Sequence, residues 1–260
     1  MARSRIPALL AVTAALVTLT GCGRPAKPPT IDAELASCVP TGTLVVAGIN
    51  LDQIRATPLY QTLLAEFQSL RDTSYLIVAY NGREATFLGR GKYPDAPAGA
   101  TLVARNLVVS GSPESVRAVI AQHQSGVSGA GRLLELAGGI AGSPPVWMVA
   151  QGGVSLPLSG NAENLNRILR LTQYVTLGVQ IGSQIRAEAA AVGRNDAAGR
   201  QLEESLRAIL TFAAAAGERR PEVEAALKSI AIRRDGLIVY ATLATTTDSL
   251  LALMREFGGS

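Results

Sequence analysis

Histidine, cysteine and aromatic residues are all scarce in this chain of 260 residues. His123 is the single histidine, and Cys22 and Cys38 are the two cysteines. Aromatic side chains make up 4% of a sequence that is 48% hydrophobic, so a substantial core must be built from Ala, Leu, Val and Ile. One histidine excludes a two-histidine metal site. A Ser-His-Asp triad would have to use His123, yet no serine sits in a G-x-S-x-G turn. No Ser-x-x-Lys pair occurs either. Clusters of five to eight Lys or Arg are absent, and the net charge is only +4. Arg3 and Arg5 precede an apolar run. If that segment is removed, 22 cationic side chains face 20 acidic ones, which is no nucleic-acid footprint.

A hydrophobic run long enough to span a bilayer is missing as well. Ile6 to Leu19 is apolar or small without a charge. As a helix it covers about 21 Å at 1.5 Å per residue, against roughly 30 Å of hydrocarbon. A short apolar run behind a basic start has the layout of an export signal. Its end, Leu19-Thr20-Gly21-Cys22, resembles the bacterial lipobox, the pattern read by lipoprotein processing enzymes. The resemblance implies a signal peptide over 1–21, with Leu19, Thr20 and Gly21 as the signal peptidase recognition residues. It implies lipidation at Cys22: a thioether-linked diacylglycerol and an N-linked acyl chain such as palmitate. No other cofactor and no metal is expected. Gly23 in place of Asp resembles the outer-membrane default of Gram-negative lipoproteins. The expected location is the cell envelope, lipid-anchored and facing the periplasm or exterior.

Residues 22–40 follow as the lipidated cysteine and a Pro-rich tether. Pro25, Pro28 and Pro29 oppose helix and favour an extended chain reaching roughly 30 Å over about ten residues. With Cys22 carrying lipid, Cys38 has no disulfide partner. It is expected as a small buried hydrophobe, with a free reactive thiol as the alternative. Metal binding is not expected of it, because no histidine is near it in the sequence.

The rest predicts an α+β fold: two βαβββα-like units, a mainly antiparallel sheet, helices packed on one face. The first unit is 41–125. "GTLVVAGINL" reads as a buried strand. Thr57-Pro58 opens a helix. Asn81-Gly82 turns a hairpin, "NLVVSG" is a strand, and Ser112-Pro113 starts a second helix. A Gly-rich linker and short helix occupy 126–144. The second unit, 145–260, repeats strand, loop and helix. It adds a hairpin near Gly182-Ser183 and a long inserted helix from Asp196 to Ala216. In it Glu203 and Arg207, four apart, can pair. An Asp235-Gly236 turn and a last helix close the chain. The similar order of elements suggests an internal duplication. The mature region also resembles uncharacterised exported bacterial α+β proteins, a likeness that implies no activity.

Chemistry remains hard to find. His123 falls at a helix end, where it suits the helix dipole. "FLGRGKY" lacks the first glycine and the Ser or Thr of a P-loop. "GVSGAG" follows a helix rather than a strand, which is the wrong context for a dinucleotide turn. Glu203-Glu204 and Glu222-Glu224 could in principle serve glycoside hydrolysis. They read instead as solvated helix faces, and the few aromatics argue against sugar-stacking subsites. Trp147 and Tyr174 read as core. The sequence therefore points to a non-catalytic binding or scaffold protein, its partners the bilayer and an unidentified envelope protein. Two alternatives stand beside it. One is a carrier or sensor of a small apolar ligand held against the long helix near "ILTFAAAAG". The other is an envelope hydrolase with an unfamiliar site.

Overall fold

From Leu44 to Ile49 every residue is apolar or glycine, a pattern that suits a strand buried on both sides. In the computed structural model, which describes residues 31–66, 70–156, 164–217 and 221–250, it forms the middle of a large sheet. The strands are β1 Val45–Asn50, β2 Thr73–Tyr80, β3 Ala85–Gly91, β4 Thr101–Ala104, β5 Leu107–Ser110, β6 Val146–Gln151, β7 Thr172–Ile181, β8 Ile185–Gly193, β9 Ala231–Asp235 and β10 Ile238–Thr245. The helices are α1 Ala33–Ser37, α2 Leu51–Ile54, α3 Pro58–Glu66, α4 Pro113–Ser125, α5 Gly131–Gly138, α6 Asn164–Leu171, α7 Asp196–Gly217 and α8 Pro221–Lys228. The fold is α+β.

The sheet runs β4-β5-β3-β2-β1-β6-β7-β8-β10-β9, and its pairs are all antiparallel. β1 and β6 pair at its centre, so both halves share one sheet. Outward from that seam the order is the same on both sides: a first strand, its hairpin, then an outer hairpin entered from its far strand. One rung crosses the sheet as Val109, Leu88, Ile77, Gly48, Trp147, Gly178, Glu188 and Thr242. We call its face the front.

Local chemistry sets the turns. Asn81 Oδ1 accepts the amides of Arg83 and Glu84, at 2.9 and 3.0 Å, and Gly82 has φ +94°. The hairpin is where Asn81-Gly82 predicts it, with a loop of Asn81 to Glu84 rather than two residues. Ser112 caps α4 through the Ser115 amide at 3.1 Å, and Gly126 ends it in the left-handed region. Thr246 likewise accepts the Ser249 amide, at 3.3 Å, to start a helical turn at 247–250. The rest of the expected last helix lies outside the described residues.

The helices do not gather on one face. α1, α4 and α5 cover the front of the first half, where Leu35, Val119 and Leu133 join Ile77, Leu88, Val109 and Trp147. On the back, α6 and α7 bring Leu169, Ile168 and Leu202 against Ala150, Ala191 and Val239. α2 and α3 form a smaller back cluster through Leu51, Ile54 and Tyr60. The physical reason lies in the central strands, which are apolar on consecutive residues and need cover on both sides.

Two expected boundaries move. α1 was expected within the tether but is core: Leu35, Cys38 and Val39 are almost fully buried. Asp32 caps it, accepting from Glu34 and Leu35 amides at 3.1 and 3.0 Å. α5, expected as part of a linker, contributes buried Leu133 and Ala137. Trp147, expected in the core, is buried; its indole lies over Gly48 and donates to the Tyr75 hydroxyl at 2.7 Å.

Candidate functional site

The two halves are covered mainly on opposite sides, so that among the described residues each leaves part of one sheet face open. On the back of the first half the floor is Leu76 and Val78 of β2, Phe87 and Gly89 of β3, and Val108 and Ser110 of β5. Ile49, Leu51 and Leu70 make one wall, and Tyr93, Pro97, Ala98 and Ala100 of the β3–β4 loop the other. They enclose a groove of about 430 Å³. Phe87 is 44% exposed in it, unusual for so large an apolar side chain facing a sheet interior.

The groove's polar atoms are occupied with each other. The Thr73 and Tyr93 hydroxyls are 2.8 Å apart, and the Ser110 hydroxyl donates to the Gly99 carbonyl at 2.9 Å. Burial pushes the Tyr93 phenol up, and the Asp72 carboxylate pushes it the same way, against the Thr73 bond. The phenol therefore stays protonated. Gly89 makes the room: a Cβ there would come within 2.8 Å of the Tyr93 hydroxyl and 3.0 Å of Val108 Cγ2. A lining of this kind accepts hydrocarbon and offers little to a polar ligand.

The matching back surface in the second half has the same apolar character and is covered. Ala187, Ala189 and Ala191 of β8 and Ala241 of β10 form a low floor that lets helices lie close. Leu202 of α7 is completely buried there, and Leu206 and Ile209 pack beside it. The inner face of α7 packs on the sheet through Leu202, Leu206 and Ile209, and an open apolar groove lies in the other half. Phe212, within "ILTFAAAAG", points to solvent at 77% exposure.

The second half's open face is the front. Here Thr176 and Gly178 of β7, Arg186 and Glu188 of β8, and Tyr240 and Thr242 of β10 floor a trough of about 500 Å³. Ile140 and Pro144 overhang Gly178. The Arg233 guanidinium stacks 3.7 Å from the Tyr240 ring centre. The trough mixes apolar and polar lining, and its Arg186 and Glu188 are exposed.

The tertiary structure brings together two residues that the sequence keeps apart. Cys38 Sγ lies 3.4 Å from His123 Nδ1 and 3.3 Å from the Glu34 carbonyl. The expectation that no histidine is near Cys38 is therefore corrected: α1 and α4 pack side by side, and 85 residues of separation vanish. Cys38 is 1% exposed, and burial pushes its thiol pKa up, opposed by Ser37 and aided by Glu34. The thiol donates to the Glu34 carbonyl, and a thiol whose pKa is raised by burial is not an activated thiolate. Among the described residues no group of three or more His, Cys, Asp and Glu could hold a metal.

The carboxylates lie on solvated surfaces. Glu203 pairs with Arg207 at 2.9 Å, as the spacing predicts, and with Arg234 at 3.3 Å. Glu224 pairs with Lys228 at 2.5 Å. The side chain of Glu222 lies outside the described residues. Leu19, Thr20, Gly21 and Cys22 lie outside them too. Among the described residues no helix is long and apolar enough to cross a membrane. The groove itself was missed in the sequence because its floor comes from β2, β3 and β5, each apolar in the ordinary way of a covered strand.

No protein-family model matches the chain, and no curated protein matches it in sequence. Among solved structures, crystal form I of TP0453 is similar, with a TM-score of 0.50 and 11% identity. The match covers 88% of this chain and 99% of that one. At this identity the likeness concerns the fold alone.

Proposed function

We propose that this chain is a lipid-anchored, non-catalytic binding protein of the cell envelope that takes an apolar chain into the back groove of its first half. The observation that carries the reading is the asymmetry of one sheet. The same apolar back surface is sealed by α7 in the second half and open in the first. Leaving apolar surface open costs about 25 cal/mol per Å², so an uncovered apolar face calls for an occupant. The self-paired Thr73, Tyr93 and Ser110 hydroxyls leave hydrocarbon as the chemistry that fits. The lipobox-like Leu19-Thr20-Gly21-Cys22 supports the anchor, and the Pro-rich segment behind it supports a tether.

Titration with a fluorescent long-chain fatty acid tests this. One saturable site is expected, and Val78→Trp, which fills the groove, is expected to weaken binding at least about tenfold. Equal binding by both proteins would remove the groove from the mechanism. Intact mass of the membrane-extracted protein tests the anchor, since a diacylglyceryl and acyl addition on Cys22 is expected.

A further inference from the structure

The groove and the point where the described chain begins, Ile31, stand at the same end of the first half. The chain enters the described residues at Ile31, and its next two acidic residues are clamped. Asp32 and Glu34 both pair with Arg90, the second at 2.7 Å. Arg90 directly follows Gly89 of the groove floor. It sits opposite Tyr75, two residues beyond Thr73, whose hydroxyl pairs with Tyr93 in the groove lining. The entry point therefore lies on the front of the strand end whose back opens into the groove.

The reach is sufficient. From Cys22 to Asp32 is ten residue steps, roughly 30 Å at about 3.1 Å each in the extended form its prolines favour. The groove floor from Thr73 to Val78 spans five steps of β2, roughly 17 Å. Rounding the strand end and entering the groove is within the tether's length. An acyl chain carried on such a tether has a high effective concentration at the groove, set by the linker and not by bulk lipid. A free lipid must compete with that.

Resting on the reading above, we propose that the groove's occupant is an acyl chain of this protein's own Cys22 lipid whenever the protein is off the membrane. Membrane insertion then empties the groove, and the anchored protein presents it to other apolar chains.

The test uses full-length lipidated protein from cells fed a diazirine fatty acid, so that the photoreactive chain is carried on Cys22. Irradiated without membrane, it is expected to cross-link within one molecule to peptides holding Leu76, Val78 or Phe87. Phosphatidylcholine vesicles are expected to abolish these cross-links, and so is Val78→Trp. Three outcomes overturn the proposal. Labelled protein that binds free fatty acid equally well in water and shows no intramolecular cross-link defeats self-occupancy and leaves the groove reading standing. A cross-linked dimer assigns the chain to a second copy's groove. A protein whose mass shows no lipid at Cys22 removes the anchor, and this inference with it. The peptide map is independent of whether the tryptophan variant folds.

Discussion

The two halves of the sheet share one strand order and spend their side chains differently. At matching positions of one front rung, the first half places Ile77, Leu88 and Val109, and the second places Gly178, Glu188 and Thr242. The first set is buried under α1, α4 and α5, and the second lines the trough, where Glu188 is exposed. On the back the roles reverse. The second half's alanine floor lies beneath α7, and the first half's Val78 and Phe87 are left open. The same topology thus makes a core or a surface according to which side carries a helix. The back of the first half breaks the correspondence, since its apolar groove has no helix over it among the described residues, and the proposed ligand would resolve that mismatch.

The sharpest way to break this comparison is to exchange its rung. Leu88→Glu puts an unpaired carboxylate into a site that is 1% exposed, and should cost at least about 4 kcal/mol or prevent folding. The reverse change, Glu188→Leu, should stay within about 0.5 kcal/mol, because that position is exposed. Urea midpoints measure both, and similar losses at the two positions would mean that the second front face is also covered.

The back faces come next. Leu202→Ala should cost about 2–5 kcal/mol by leaving a cavity under α7. Phe87→Ser should cost about 1 kcal/mol or less, since the ring is already half in solvent, while removing much of the fatty-acid binding. If the protein's midpoint fell as far for Phe87→Ser as for Leu202→Ala, the groove would be a packed core and the comparison would fail.

The smallest effect concerns acid. Hydrogen bonds from Ser115 and Ser112, at 2.6 and 2.9 Å, hold the Glu84 carboxyl below its ordinary range. They tie the first half's hairpin to α4. The second half's matching turn, Gly182 to Gln184, carries no carboxylate. A depressed folded pKa contributes stability above the unfolded value of about 4.3, and that contribution is lost as pH falls through the folded value. Glu84→Gln should therefore shrink the drop in melting temperature between pH 7 and pH 3. An unchanged drop would show that the contact is idle.

Much of the fold was legible because its signals are local. Ser112-Pro113, Asn81-Gly82 and Asp235-Gly236 mark element ends through caps and turns that need only neighbouring residues. Periodicity also placed α7 and its Glu203–Arg207 pair. Short pieces escaped: β4 has four residues at a sheet edge, α2 has four, and α1 hid behind prolines although Asp32 and Glu34 are a fair helix-start signal. The groove was not legible in the sequence, because it needs three paired strands, the distant β3–β4 loop and no helix above them among the described residues.

By itself the amino-acid sequence determined the class of fold, the turns and the long helix α7, since each is written in residues close along the chain. Tertiary structure alone decided which side of the sheet each helix covers. It put His123 against Cys38, buried Leu202 of α7 against the sheet, and left Phe87 exposed. Strand alternation says that a side chain points to one face; only the packing of distant helices says whether that face meets water, a core or a ligand.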